Sequence, residues 1–314
     1  MASPNPPHRQ AWIQGRTQRE NQLLASPGHG RRMRYRKLIH ACKAPLTWLG
    51  IYQWGMANAR KVHITSHTLP FATLPTSFQG YRILHLSDLH FGILAGFGKE
   101  LARQLQNLEV DLVLFTGDLN HGPSPESPET PLETTLAETR CLLDVLNPRD
   151  GFVAVMGNHD RAAMWGPLEE MGVRVLVNES HTIKRHRDQI HLVGTDDVHR
   201  FDTPEAEAAL VKAPSGFRIA LVHSTGLADG AARAGFDLYL CGHNHGGQIC
   251  LPGGIPLVGS RSRPYGRCAS GFWQVGEMTG FTSRGAGVAY PPLRFNCPGE
   301  AVVLTLVGDQ EGSH

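Results

Sequence analysis

The chain has 314 residues, enough to bury a substantial core, and one α/β domain of roughly 200–250 residues with an appendage is an ordinary solution at this length. With 41% apolar residues its composition is that of a globular protein. The net charge of +2 hides an asymmetry: residues 1–70 hold eleven Lys or Arg against one acid, Glu20, so the basic charge belongs to a leader, and the net acidic remainder excludes a nucleic-acid partner for the main body.

Residues 1–30, rich in Pro, Gln, Arg, Ser and Gly, are expected to be disordered, and residues 1–43 as a whole read as a basic leader. Arg31, Arg32, Arg34, Arg36, Lys37 and Lys43 precede an uncharged segment, 44–59, that is short for a membrane span of about 20 residues. Trp48, Ile51, Tyr52, Gly55 and Met56 recur at helical spacing within it, so residues 44–61 are expected to form an amphipathic segment lying on a membrane surface, at the cytoplasmic face of the inner membrane. Two other readings stay open. Arg31-Arg32 with Ala57-Asn58-Ala59 outlines a twin-arginine export signal, and the helix could instead pack on its own domain.

Residues 62–314 form the main domain. Val62–Thr65 reads as an edge strand, followed by core strands over 83–87 and 112–116, a helix over 101–108, a Pro-rich loop at 122–131 and a helix over 132–146. Further strands are expected at 152–156, 173–177, 190–193, 217–222 and 236–241, with helices over 164–171 and 204–211, and short closing strands at 272–275, 278–282 and 302–306. The β-α-β order with β-rich closure predicts two sheets packed between helices. The six cysteines form no Cys-x-x-Cys pair and read as reduced thiols; Cys241 and Cys250 flank a His-rich stretch but are expected to be buried apolar residues.

Chemistry-bearing residues sit directly after the core strands: Asp88 and His90, Asp118, Asn158 with His159 and Asp160, His223, and His243 with His245. Asp, Asn and His at carboxyl edges of strands are oxygen and imidazole ligands, and seven of them (Asp88, His90, Asp118, Asn158, His223, His243, His245) suit two adjacent divalent ions sharing one carboxylate. Such a pair lowers the pKa of water between the ions and clamps a phosphoryl group. Mn²⁺, Fe²⁺ and Zn²⁺ all fit this donor set. His85, His191 and His199 read as structural histidines, His121 as a surface loop residue with substrate contact as the alternative, and Asn120 as a turn-former; the role of Arg294 stays open.

Asp88-x-His90, Gly117-Asp118, Gly157-Asn158-His159-Asp160, Val222-His223 and Gly242-His243-Asn244-His245 together resemble, in order and context, the five blocks of the calcineurin-like metallophosphoesterases. Gly246-Gly247-Gln248-Ile249, Ser283-Arg284-Gly285 and the stretch 294–300 look like the YkuE/YaeI-type bacterial branch, and the resemblance covers about residues 80–314. It implies a four-layer α/β/β/α sandwich. It also implies that Asp88, His90 and His245 hold one metal and Asn158, His223 and His243 the other, with Asp118 bridging and His159 as general acid. Asp160 would orient the His159 ring or cap the backbone, and Arg161 would contact phosphate or sit exposed at a helix start.

The function this implies is hydrolysis of a phosphodiester or pyrophosphate, and the basic, aromatic leader points to a lipid-linked substrate, with UDP-2,3-diacylglucosamine of lipid A synthesis as the candidate that the resemblance supplies. A soluble enzyme acting on cyclic nucleotides or phosphoproteins, and a non-catalytic metal-binding scaffold, are the alternatives. Residues 252–267 are expected to form a lid.

Overall fold

Strand pairing follows the apolar runs. The computed structural model describes residues 7–25, 43–122, 129–257 and 270–308, and among these two six-stranded sheets dominate. The first has the order β1 (Val62–Pro70), β14 (Gly299–Val307), β2 (Tyr81–Leu86), β3 (Leu112–Thr116), β4 (Phe152–Val155), β5 (Val173–Val175). The second runs β12 (Gly271–Val275), β13 (Met278–Thr282), β9 (Leu238–Cys241), β8 (Phe217–Leu221), β7 (Asp188–Gly194), β6 (Glu179–Arg185). Pairing is parallel from β2 through β5 and from β13 through β7, with β14 antiparallel to β2 and β6 antiparallel to β7. A short antiparallel ladder joins β10 (Cys250–Leu251) to β11 (Ile255–Pro256).

Parallel strands are buried on both faces, which is why β2, β3, β4, β8 and β9 read as mostly apolar runs, broken only by Arg82, His85 and Arg218 and ended in β3 by Thr116. One core lies between the sheets, with Ile83, Leu114 and Leu304 facing Leu192, Ile219 and Leu240. A second lies between the first sheet and its helices, through Leu86, Phe115, Leu101, Leu142 and Trp165, and a third between the second sheet and its helices, through Ala220, Tyr239, Leu210 and Ala231. The layers are therefore α/β/β/α, as the resemblance implies. Every parallel core strand points its carboxyl end toward one edge, so Asp88, Asp118, Asn158, His223 and His243 follow β2, β3, β4, β8 and β9 onto a common rim.

Differences from the sequence reading have local causes. A 19-residue helix, α1, spans Pro7–Ala25, where disorder is expected from composition. Its buried anchors are polar, Arg16 and Glu20, so no apolar stripe announces it. The expected single helix at 44–59 is split: residues 43–48 are helical, Gly50 adopts φ 72°, and α2 (Ile51–Ala59) follows. The helix expected at 101–108 is displaced to Phe97–Leu105, and the one at 132–146 ends at Leu143. Strand β6 escapes the apolar pattern because only Ile183 in it is buried; it is an edge strand held by its hairpin to β7. The expected lid lies largely outside the described residues, of which only the β10–β11 ladder and its flanks are seen. The Pro-rich loop likewise falls mostly outside them.

The segment 43–59 divides its own surface. Tyr52, Gly55 and Ala59 face the domain, with Gly55 fitted so closely that a Cβ would lie 2.6 Å from the Phe295 ring, while Trp48, Leu49, Ile51 and Trp54 are exposed. Among the described residues no helix is long and apolar enough to cross a membrane.

Candidate metal centre

Tight loops at the rim force the ligand-type residues together. Asp88, His90, Asp118, His243 and His245 all have φ between 41° and 74°, a region that costs a non-glycine residue roughly 1–3 kcal/mol each and is held only where surroundings over-determine it. Hydrogen bonds supply that determination: Asp88 N donates to Gly117 O at 3.0 Å, His90 N to Asp118 O at 2.9 Å, and Gly242 N to His223 O at 2.9 Å. Neighbouring glycines permit the approach. A Cβ on Gly242 would collide with Ser87 Oγ and Asp88 Oδ2, and one on Gly157 with Asp118 Oδ1. Gly242→Ala is therefore expected to push the Asp88 carboxylate aside and weaken divalent-ion binding about 10–100-fold, as displaced supporting contacts do, while the chain still folds; Mn²⁺ titration monitored by circular dichroism checks both.

The result is two converging clusters. Asp88, His90 and His245 form one and Asp118, His223 and His243 the other, with the ligand atoms of each within 4.8 Å of one another. His245 Nε2 lies 3.4 Å from Asp88 Oδ1 and 3.1 Å from His90 Nε2. His223 Nε2 lies 3.2 Å from Asn158 Oδ1 and 3.3 Å from His243 Nδ1. Asp118 Oδ2 reaches both clusters, at 3.5 Å from His90 Nε2 and 3.2 Å from His223 Nε2. All seven residues selected from sequence are thus in one place.

Electrostatics test whether cations fit. Burial holds the pKa of His90 and His245 well below 6.5 and lowers that of His243 to about 3, so these imidazoles are neutral and offer lone pairs. Burial raises the Asp88 pKa to about 6. Burial also pushes the Asp118 pKa upward, but His223 and His159 outweigh it and hold the carboxyl ionised. His223 is the reverse case: burial lowers its pKa, yet Asp118 and Asp88 raise it to about 10. A proton thus sits on a would-be ligand because two buried carboxylates demand positive charge, a demand that divalent ions meet while displacing that proton. His223 Nδ1 faces the Thr116 carbonyl at 2.7 Å, the outer contact that presents Nε2 as the ligand atom. The donor set fits two divalent cations.

Supporting contacts account for residues whose roles the sequence leaves open. Arg294, buried, donates to the carbonyls of Gly287, Arg284, Gly285, Cys297 and His245, which ties the 284–287 segment behind Asp88 to the His245 loop. Of the two roles open to Asp160, the contacts are those of a backbone organiser: its carboxylate accepts from the amides of Asp118, Gly157 and Asn120 at 2.7, 2.8 and 2.9 Å. Arg161 pairs with Glu129 and Glu20 instead of projecting as a free phosphate contact. Cys241 and Cys250 are buried and belong to neither cluster.

Two readings need correction, and one group of residues was missed. His121 is not a surface residue: it is 2% exposed, stacks on His159 at 5.3 Å between ring centroids, and packs edge-on against His90 at 5.4 Å. His199 is not a buried structural histidine; it lies 4.5 Å from the His243 ring, at the exposed margin of the site. Asp196, Arg200 and the whole of α1 were invisible as site components, because a contact between an N-terminal helix and a loop 180 residues later leaves no local sequence pattern.

With this geometry, the chain belongs to the calcineurin-like phosphoesterase family, whose profile matches residues 81–247. It is an enzyme class that hydrolyses phosphoester bonds with the aid of metal ions. Among its relatives, the metallophosphoesterase YkuE of Bacillus subtilis is 28% identical over 81% of this chain and 89% of its own length. The phosphodiesterase YaeI of Escherichia coli is 30% identical over 72% of this chain and 82% of its own. A transmembrane protein with metallophosphoesterase domain from Bos taurus is 30% identical over 80% of this chain but 59% of that one.

Proposed function

We propose that the chain is a dinuclear phosphohydrolase cleaving a phosphodiester or pyrophosphate that is carried on a lipid and met at a membrane surface. Asp88, His90 and His245 would hold one divalent ion, Asn158, His223 and His243 the other, and Asp118 both. The observation that carries the reading is Asp118 Oδ2, which stands within 3.5 Å of an imidazole nitrogen from each cluster. Bound there, Mn²⁺, Fe²⁺ or Zn²⁺ would supply Lewis-acid chemistry, making a nucleophile of water at neutral pH and offsetting charge on a phosphoryl group.

The protein's own groups supply the rest. His159 donates its backbone N–H to Asp118 Oδ1 at 2.7 Å, and its ring lies 5.1 Å from that of His90, at the edge of the ligand cluster and outside it. From there His159 delivers a proton to the departing oxygen as general acid. Asp160 keeps the Asp118 and Asn158 loops in register through its three amide contacts.

A lipid-borne substrate is supported by where the exposed apolar residues fall. Trp54 stacks edge-on against Phe295 at 5.2 Å, Phe295 O accepts from Cys250 N at 2.9 Å, and the adjoining ladder exposes Leu251, Ile255 and Leu257. Together with Trp48, Leu49 and Ile51 these form an apolar margin joined through Ile249 and Gln248 to His245, and the basic residues that precede Trp48 in the sequence suit anionic lipid. UDP-2,3-diacylglucosamine is the candidate substrate, and the cytoplasmic face of the inner membrane the corresponding location. Two assays test this. Purified protein with Mn²⁺ is expected to hydrolyse UDP-2,3-diacylglucosamine, and good turnover of simple diesters without it removes that candidate. In flotation with vesicles containing anionic lipid, Trp48→Ala/Trp54→Ala is expected to lose most of the binding of the parent; a parent that does not float would leave a soluble phosphodiesterase as the reading, and equal flotation of the two would show that these tryptophans do not carry the membrane contact.

A further inference from the structure

We infer that α1 is a working part of the catalytic site: Arg16 clips together two loops that wall the second metal cluster, and so acts as a positioning residue for Asn158 and His159. The inference rests on the phosphohydrolase reading and goes beyond it, since nothing in that reading requires residues before the first sheet.

Arg16 is 1% exposed, in the middle of an otherwise polar helix. A guanidinium so deeply placed is stable only when its charge is met: Nε lies 3.5 Å from the Glu20 carboxylate, and the contacts of the two terminal nitrogens are specific. Nη2 donates to Gly157 O at 2.6 Å and to Asp160 O at 3.1 Å, the carbonyls that bracket Asn158 and His159. Nη1 is paired with the Asp196 carboxylate. Trp12, one turn earlier on the same helix, donates Nε1–H to the other Asp196 oxygen at 2.7 Å.

Asp196 opens the second loop. Its neighbour Asp197 accepts from the amides of His199 and Arg200 at 3.1 and 2.8 Å, which turns the loop back over the centre. There the His199 ring lies 4.5 Å from that of His243, and Arg200 Nη1 approaches Asn158 O at 3.4 Å. Phe201 closes the clip by lying 3.6 Å from the Arg16 guanidinium carbon. One side chain of α1 thus holds a loop that carries a metal ligand and the proton donor against a loop that covers another ligand. The planar fork is essential, because a lysine in its place presents one point charge and cannot serve a carboxylate and two carbonyls in that arrangement.

α1 also carries a contact that serves as an internal control. Arg9 pairs with Glu169 and, at 3.6 Å, with Glu179, and lies over the Trp165 ring at 4.7 Å, attaching the helix to the segment Trp165–Glu170 and to the start of β6 without an ion pair to either loop. If α1 merely added stability, losing Arg9 or Arg16 would have the same kind of effect. If Arg16 positions the loop, only its loss reaches the metal site.

The test uses the full chain and its Arg16→Ala, Arg16→Lys and Arg9→Ala variants, with folding followed by circular dichroism, Mn²⁺ binding by calorimetry, and turnover with bis-p-nitrophenyl phosphate. Both Arg16 variants are expected to bind the first Mn²⁺ like the parent and the second about 10–100-fold more weakly, the usual effect of losing a contact behind a ligand. Turnover should fall through kcat, with KM within about twofold of the parent. Arg9→Ala should lower only the melting temperature. A folded Arg16 variant with parental second-ion affinity, or an Arg9→Ala variant with the same losses, overturns the inference. Where Arg16→Ala does not fold, Arg16→Lys decides alone. A parent that binds two Mn²⁺ but hydrolyses nothing would sink the phosphohydrolase reading while the ion-binding comparison still decides the role of Arg16; a parent that binds no second ion removes both.

Discussion

Asp118→Asn is expected to reduce kcat/KM on a phosphodiester by about 10³-fold or more, exceeding the loss of any single stabilising group, because this carboxylate serves both halves of the centre. Its Oδ2 lies within reach of His90 and His223, and its Oδ1 takes the His159 amide at 2.7 Å. The substitution keeps the shape and removes the charge. It should weaken binding of both ions, while an alanine at His243 or His245 affects mainly one. The metal-free variant should remain folded, since asparagine keeps the volume of this buried side chain and removes a buried charge. Metal titration and steady-state kinetics at saturating Mn²⁺ check both parts. Parental turnover in Asp118→Asn would show that the shared carboxylate is not needed.

His159→Gln should separate chemistry from metal binding. The ring is set by stacking on His121, with an interplanar angle of 14°, and sits edge-on to the His90 ring at 5.1 Å, beside the ligand cluster and outside it. With an alkyl leaving group, which needs a proton to depart, kcat is expected to fall about 10²–10⁴-fold, the range for losing a general acid. With p-nitrophenolate, which leaves unprotonated, the loss should be far smaller, and Mn²⁺ stoichiometry should match the parent. Equal losses on the two substrate types would assign His159 to positioning or ion binding instead.

Legibility in the sequence followed the range of the interactions. Strands β2, β3, β4, β8 and β9 are buried on both faces and end in polar residues, so an apolar run and its terminus announce both the element and the ligand it delivers. The seven ligand-type residues were legible for the same reason. β6 was not, because an edge strand with one buried side chain has little apolar pattern to read. α1 was not, because what docks it is a buried arginine whose partners, Gly157, Asp160 and Asp196, are 141 to 180 residues away. The burial of His121 depends on its stacking against His159 and His90, which are distant in the chain, and no spacing within Gly117–His121 encodes it.

The most direct measurement is the metal content of the full chain after reconstitution with Mn²⁺ and removal of excess, compared with His243→Ala and His245→Ala. Two ions per chain in the parent and a loss of about one in each variant is the predicted result, since His243 and His245 fall in different clusters. One ion in the parent, or two retained in both variants, would contradict a dinuclear centre at the carboxyl edges of β2, β3, β4, β8 and β9.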